Sequence, residues 1–81
     1  MQNKWEQDSG KLVKNFRFQN FKEALKFINN VGEIAESMNH HPKIINIYNN
    51  VRLELWTHDQ NTISDLDFLL ADKIDHQTNE S

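Results

Sequence analysis

Residues 20–42 read NFKEALKFINNVGEIAESMNHHP, and this segment carries signals for both ends of a long helix. Asn20, followed by Glu23 at the third position after it, resembles a capping box, which satisfies free backbone donors where a helix begins. Pro42 pushes the residue before it, His41, out of the helical region. The apolar residues of the segment recur at the spacing of one helical face: Phe21, Ala24, Leu25, Ile28, Val31, Ile34, Ala35 and Met38. These features together predict a helix over residues 21–38.

The residues after Pro42 have the pattern of a hairpin. We predict strands over residues 43–48 and 51–57, joined at Asn49 and Asn50, because asparagine tolerates the positive φ angles of a tight turn. In the second strand Val51, Leu53 and Leu55 share one face, while the residues between them face the other way. One face of this hairpin is therefore expected to be core.

The two ends of the chain complete the fold prediction. An extended segment around Trp5 ends at residues 8–10, and the alternation over residues 12–18 predicts the second strand of a first hairpin. Ser64 and Asp67 repeat the cap spacing before a last helix, and residues 75–81 are predicted to be a polar tail. The apolar stripe of that helix is Leu66, Leu69, Leu70 and Ile74. The order β-β-α-β-β-α over a single domain of residues 1–81 predicts an α+β two-layer sandwich, with a four-stranded antiparallel sheet and two helices on one face.

Composition excludes several classes of protein. The 81 residues include 9 Lys and Arg, 12 Asp and Glu and no Cys, so disulfide frameworks and thiolate metal sites are excluded. The basic residues are scattered singly, which argues against direct nucleic-acid binding. The chain has no apolar run of membrane-spanning length and no recognisable secretion signal. We therefore expect a cytoplasmic protein that neither crosses nor anchors in a membrane.

Histidines are concentrated where the long helix and the last strand end. His40, His41 and His58 lie in these places, and imidazole is the side chain best suited to proton transfer near neutral pH. Glu36 precedes His40 by four residues and would face it if the helix extended that far. Asp67, in the first turn of the last helix, is suited to orient an imidazole. The pattern predicts a site for acid and base chemistry.

Glu36-Ser37-Met38-Asn39-His40-His41-Pro42, followed at fixed spacing by Tyr48, Thr57-His58 and Asp67, resembles the signature of the pterin-4a-carbinolamine dehydratase family. The resemblance implies the two-layer α+β fold. It also implies dehydration of 4a-hydroxytetrahydropterin to quinonoid dihydropterin, without metal or cofactor, in the recycling of a tetrahydrobiopterin-type cofactor. The expected partners are a pterin substrate, a pterin-dependent aromatic amino acid hydroxylase pathway, and further copies of the chain in a homodimer or homotetramer.

The resemblance also implies roles for individual residues. His40 and His58 would be the acid and base pair, and His41 would bind substrate near the departing hydroxyl. The catalytic set would be His40, His41, His58 and Asp67. The residues expected to bind substrate or orient the catalytic groups are Glu36, Asn39, Pro42, Thr57 and Asp59. The chain departs from the family in having Asn39 where Asp is frequent, and in lacking Gly at residues 61–63, so Asn61 is expected to adopt a positive φ.

Other interpretations remain open at this stage. The chain could be a non-catalytic or dual-role oligomeric interaction module of the transcriptional-coactivator type, or a dehydratase-like enzyme of molybdopterin metabolism. A zinc site built from the three histidines ranks lower, because adjacent side chains such as His40 and His41 diverge in an extended segment. Tyr48 and Trp56 are expected to serve sheet packing or an interface.

Overall fold

The computed structural model describes residues 4–79 and has the predicted α+β architecture. Its elements are β1 (Glu6–Asp8), β2 (Lys11–Arg17), α1 (Phe21–Met38), β3 (Lys43–Ile47), β4 (Asn50–Leu55) and α2 (Asp65–Asn79). The four strands form one antiparallel sheet in the order β1-β2-β4-β3. Neither α1 nor α2 has the length and apolar content needed to cross a membrane.

The core lies between the helices and the central strands, β2 and β4. Their register pairs Leu12 with Leu55 and Phe16 with Val51, so alternate residues of both strands point toward the helices. Val51, Leu53 and Leu55 are buried, as the alternation of β4 predicted. The helices contribute the buried residues Ala24, Phe27, Val31, Ala35, Leu70, Ala71 and Ile74. This packing fixes the end of α1 beside the beginning of α2.

The bounds of α1 agree with the prediction at both ends. The side chain of Asn20 accepts a hydrogen bond of 2.9 Å from the backbone N–H of Glu23. At the other end Asn39 adopts the left-handed conformation, with φ of 53°, and its backbone N–H is bonded to the last carbonyls of the helix. The backbone N–H of His40 donates to the carbonyl of Ala35 at 3.1 Å. His40 and His41 therefore lie beyond the helix.

The turn between β3 and β4 differs from the prediction. The positive φ, 52°, belongs to Tyr48, so the placement of positive φ at Asn49 and Asn50 was wrong. Asn49 is held instead by Phe18, whose backbone N–H and carbonyl each make a hydrogen bond of 2.9 Å with it. The strands are also shorter than predicted, because β3 ends at Ile47 and β4 ends at Leu55.

The last helix also corrects two predictions. It continues to Asn79, so residues 75–79 are helical rather than a polar tail, and residues 80 and 81 lie outside the described part of the chain. Asp75 accepts hydrogen bonds from the indole N–H of Trp5 at 3.1 Å and from Lys14 Nζ at 2.8 Å. Leu66 and Leu69 are exposed, because α2 buries only the narrow face that contains Leu70, Ala71 and Ile74.

Candidate active site

A cleft with a volume of about 280 Å³ opens where α1 ends beside the loop after β4. It is lined by residues 39–41, residues 56–59 and Leu66. The three histidines that the sequence singled out therefore line one cleft. The left-handed turn at Asn39 directs His40 and His41 toward the cleft, and His58 reaches it from the loop after β4.

The imidazole of His40 is bonded to the buried carboxylate of Asp67. Its Nε2 lies 2.6 Å from Asp67 Oδ1, and the exposed fractions of the two side chains are 11% and 0%. Asp67 Oδ2 accepts two further hydrogen bonds of 2.9 Å, from the hydroxyl of Thr57 and from the backbone N–H of Ser64. A buried carboxylate is tolerated when donors surround it in this way, and the N-terminal turn of α2 adds a favourable dipole.

The hydrogens in this network have a defined direction. An ionised carboxylate only accepts hydrogen bonds, so Nε2 of His40 carries the hydrogen that points at Asp67. The single hydroxyl hydrogen of Thr57 is used on Asp67, so in the contact between Thr57 and Ser64 the hydroxyl of Ser64 is the donor. We therefore assign to His40 the tautomer that carries its hydrogen on Nε2, in which Nδ1 is the atom that can accept a proton.

Glu36 does not contact His40, because the condition for that pairing, a helix that extends as far as His40, is not met. Its Oε1 lies 3.0 Å from Nε2 of His41. Because α1 ends at Met38 and the left-handed turn at Asn39 redirects the chain, His40 leaves the helical face on which Glu36 lies. The pair of Glu36 and His41 is largely exposed, with exposed fractions of 82% and 55%, so it contributes little to stability.

His58 is exposed and is held by a ring rather than by a carboxylate. The centroids of its imidazole and the indole of Trp56 are 4.5 Å apart, with an angle of 33° between the planes. The Lys11 ammonium lies 4.5 Å from the centroid of the Trp56 ring. Within residues 4–79 the imidazole of His58 makes no hydrogen bond. From the sequence, Trp56 was expected in sheet packing or an interface, and its contact with His58 was missed, although its position two residues before His58 was a usable signal.

The loop that carries His58 is closed by Thr57 and Thr62. The backbone N–H of Thr57 donates to the carbonyl of Thr62 at 2.8 Å, and Asn61 has the expected positive φ, 53°.

The remaining candidate residues divide into two groups. Asn39 and Asp59 line the cleft, whereas Pro42 and Glu36 are not part of its lining as the described residues form it. Ser64 is the network member that sequence reasoning treated only as a helix cap.

A larger groove, of about 530 Å³, lies between α1 and α2. Its ionisable side chains are Asp72, Lys73 and His76, and His76 Nδ1 lies 3.0 Å from the backbone carbonyl of Asp72. Among the described residues that line this groove, His76 is the only histidine. Convergent proton-transfer groups identify a site better than volume does, so the smaller cleft is the candidate.

The ionisable groups of the described residues do not form a metal site. Between residues 4 and 79, no three or more His, Asp or Glu side chains are grouped so that they could hold a metal ion. His40 and His41 point to different carboxylates, Asp67 and Glu36. The arrangement offers imidazoles for proton transfer and an opening for a small ligand.

Comparison with known proteins gives a consistent result. The family model described as "Pterin 4 alpha carbinolamine dehydratase" matches residues 1–77. A protein of Synechococcus sp. (strain WH7803), provisionally named as a pterin-4-alpha-carbinolamine dehydratase, is 46% identical over 71 residues, which cover 88% of this chain and 76% of the relative. A protein of Sulfurisphaera tokodaii with the same provisional name is 49% identical over 71 residues, again 88% of this chain and 76% of the relative.

Solved structures extend the comparison to the fold. The transcriptional coactivator/pterin dehydratase from Brucella melitensis superimposes with a TM-score of 0.84 at 32% identity, over 88% of this chain and 78% of that one. A pterin dehydratase-like protein identified as a RuBisCO assembly factor in the alpha-carboxysome superimposes with a TM-score of 0.77 over 100% of this chain and 94% of that one. At 17% identity, the second likeness concerns the fold alone.

Proposed function

Because the chain belongs to the pterin-4-alpha-carbinolamine dehydratase family, we propose that it dehydrates 4a-hydroxytetrahydropterin to quinonoid dihydropterin. The main support for the proposal is the cleft lined by His40, His41 and His58. In this cleft the Nε2 atom of His40 is bonded to the buried carboxylate of Asp67. A cleft of about 280 Å³ is of the order expected for a small ligand that remains partly open to solvent.

The reaction needs an acid and a base on one substrate. The carbon–oxygen bond at the 4a position breaks, the leaving oxygen takes a proton and departs as water, and a ring nitrogen loses a proton as the new double bond forms. Each correctly positioned acid or base contributes roughly 10²–10⁴-fold to the rate. Imidazoles supply both functions without a change of residue type.

The contacts support different roles for the histidines. His40 donates through Nε2 to Asp67, so its Nδ1 can accept a proton, and the carboxylate stabilises the cation that results. His58 is exposed and bonded to no carboxylate in the described chain, so it is assigned as the acid that protonates the leaving oxygen. His41, which lines the cleft and contacts Glu36 outside the lining, is assigned to hold substrate near that oxygen. Asn39, Thr57 and Asp59 are the remaining polar residues of the lining.

The test is turnover of chemically generated 4a-hydroxytetrahydropterin, measured against its spontaneous dehydration. The unmodified chain is expected to exceed the spontaneous rate, and His40→Ala and His58→Ala are each expected to lose about 10²–10⁴-fold in kcat. His76→Ala is the matched control, because His76 is an exposed histidine of α2 outside the cleft. If both cleft variants turn over like the control, the assignment of acid and base is refuted.

We also propose that the protein acts as a homodimer or homotetramer. β3 is an outer strand of the sheet; its last residue, Ile47, and the next residue, Tyr48, have exposed fractions of 71% and 62%. Pairing of such an edge with another copy would cover these apolar side chains. Light scattering coupled to size exclusion tests this, and a monomer across the accessible concentration range would contradict it.

The remaining parts of the proposal rest on the family and on composition. These are a cytoplasmic location, and a supply of substrate by a pterin-dependent aromatic amino acid hydroxylase. The alternative of an interaction module is supported by the likeness to the Brucella protein, which is a transcriptional coactivator/pterin dehydratase. An inactive chain that remains folded and oligomeric would favour that alternative.

A further inference from the structure

We propose that Trp56 is a positioning residue, which holds the imidazole of His58 in its working orientation by ring stacking. The inference rests on the proposed function, because it concerns how the acid of that reaction is positioned. It starts from an asymmetry between the histidines. His40 and His41 each have a carboxylate partner, whereas His58 has the indole of Trp56 at 4.5 Å and, in the described chain, no hydrogen bond to its ring.

An exposed imidazole without a partner would sample several rotamers. Offset or tilted aromatic contacts at 4.5 Å lie within the favourable range for ring pairs. A stack of this kind favours one rotamer by a factor of roughly 2 to 12. Unlike a carboxylate, an indole restrains the ring without occupying either ring nitrogen, so both remain available to substrate.

Trp56 is itself restrained, by the outer face of the sheet. The ammonium of Lys11 lies 4.5 Å from the centroid of its ring, a cation–π distance. The same ammonium lies 3.6 Å from Glu54 Oε1, and Glu54 Oε2 accepts a hydrogen bond of 2.9 Å from Arg52. Glu54 is buried although it lies on the face of β4 opposite the core, because these cations surround it. The contacts thus form a continuous path from Glu54 through Lys11 and Trp56 to His58.

This path gives a role to two features that the reaction itself leaves unused. One is the buried carboxylate on the outer face of the sheet, and the other is an aromatic side chain at the end of β4.

A positioning role predicts that loss of the indole lowers kcat. A direct stacking role toward the pterin predicts instead that it mainly raises KM.

The experiment is a double-mutant cycle on the full chain with chemically generated 4a-hydroxytetrahydropterin. Trp56→Leu is expected to lower kcat by about 3- to 10-fold, and Trp56→Phe, which keeps a ring, to restore most of the loss. In the His58→Ala background, Trp56→Leu is expected to have no further effect. Phe21→Leu is the control for removing an exposed aromatic ring, because Phe21 begins α1, at the end of that helix far from the cleft. An equal loss of kcat in both backgrounds, or a change confined to KM, overturns the proposal.

A second measurement decides the case independently of turnover. The ring protons of His58 are expected to resonate upfield in the unmodified chain and in Trp56→Phe, because a stacked ring shields them. In Trp56→Leu they are expected to move to the positions of a free imidazole. Unchanged positions would refute the stack. If the unmodified chain has no dehydratase activity, the proposed function fails, and these resonances alone establish whether Trp56 holds His58.

Discussion

Replacement of Asp67 by Asn tests the reasoning about the site most directly. Asn keeps the shape of Asp but offers one acceptor and one donor group. At Oδ2 the carboxylate accepts hydrogen bonds from Thr57 and from the backbone N–H of Ser64, so the amide oxygen must occupy that position. The amide NH₂ then faces Nε2 of His40, which becomes an acceptor. The hydrogen of the imidazole moves to Nδ1, and His40 can no longer accept a proton there.

The magnitude follows from the three hydrogen bonds that the carboxylate accepts. Loss of a correctly presented base is expected to lower kcat by about 10²–10⁴-fold. Hydrogen bonds to a charged group contribute about 1.5–3 kcal/mol, against about 0.5–1.5 kcal/mol for neutral ones, and the amide retains bonds at all three positions. Each of the three bonds is expected to weaken by about 1 kcal/mol, and part of this loss is offset because the amide, unlike the carboxylate, buries no charge. We therefore expect the free energy of unfolding to fall by about 1–3 kcal/mol, so the variant remains folded.

The assay combines turnover, urea unfolding and the ¹⁵N resonances of His40, which report the tautomer. Asp65→Asn is the matched control, because Asp65 lies in the same first turn of α2 but is exposed. It changes the charge near the helix end without touching His40. Turnover of Asp67→Asn close to that of Asp65→Asn, or a His40 that keeps its hydrogen on Nε2, would refute the tautomer argument.

Three further predictions concern the network, the last helix and the outer face of the sheet. Thr57→Val removes one of the hydrogen-bond donors to buried Asp67 and is expected to lower the free energy of unfolding, measured in urea, by about 1–3 kcal/mol. Thr57→Ser keeps the hydroxyl and should retain most of the stability. An equal loss in both variants would show that the hydroxyl is not responsible. Asp75→Asn removes the charge that pairs with Lys14, whose side chain is only 9% exposed, and should lower the free energy of unfolding by about 1–3 kcal/mol. Asp72→Asn, at an exposed position of α2, should leave it unchanged. The hydrogen bond from Arg52, aided by the charges of Lys11 and Lys43, holds the pKa of Glu54 below its ordinary value of 4.5 against the opposing effect of burial. Glu54 therefore contributes stability that is present above pH 4.5 and is lost as the pH falls through the lowered pKa; Glu54→Gln should flatten that part of the stability curve, and an unchanged acid limb would contradict the assignment.

Features set by neighbouring residues were predictable from the sequence. The periodicity from Phe21 to Met38 and the cap at Asn20 gave both bounds of α1, because a helix is specified by contacts between residues three and four apart. The alternation of Val51, Leu53 and Leu55 gave the buried face of β4 for the same local reason. The His-rich positions were visible as a concentration of one residue type.

Predictions failed where the outcome depended on one turn or on distant packing. One left-handed residue, Asn39, separates His40 from the helical face of Glu36 and gives that carboxylate to His41. Asp75 was assigned to a polar tail, but its contact with Trp5 crosses 70 positions of the chain. The predicted apolar stripe of α2 was too wide, because the packing of α2 against α1 and the sheet decides which leucines are buried.

By itself the sequence determined the elements, their order and the chemical groups available for proton transfer, since each depends on residue type and on near neighbours. Only the tertiary structure decided which carboxylate meets which imidazole, that Thr57 and Ser64 donate hydrogen bonds to Asp67, and that the indole of Trp56 packs beside the imidazole of His58. The physical reason is that hydrogen bonds and ring contacts act over a few ångströms. Pairs such as His40 and Asp67, 27 positions apart, come within that range only when the sheet and both helices are packed together.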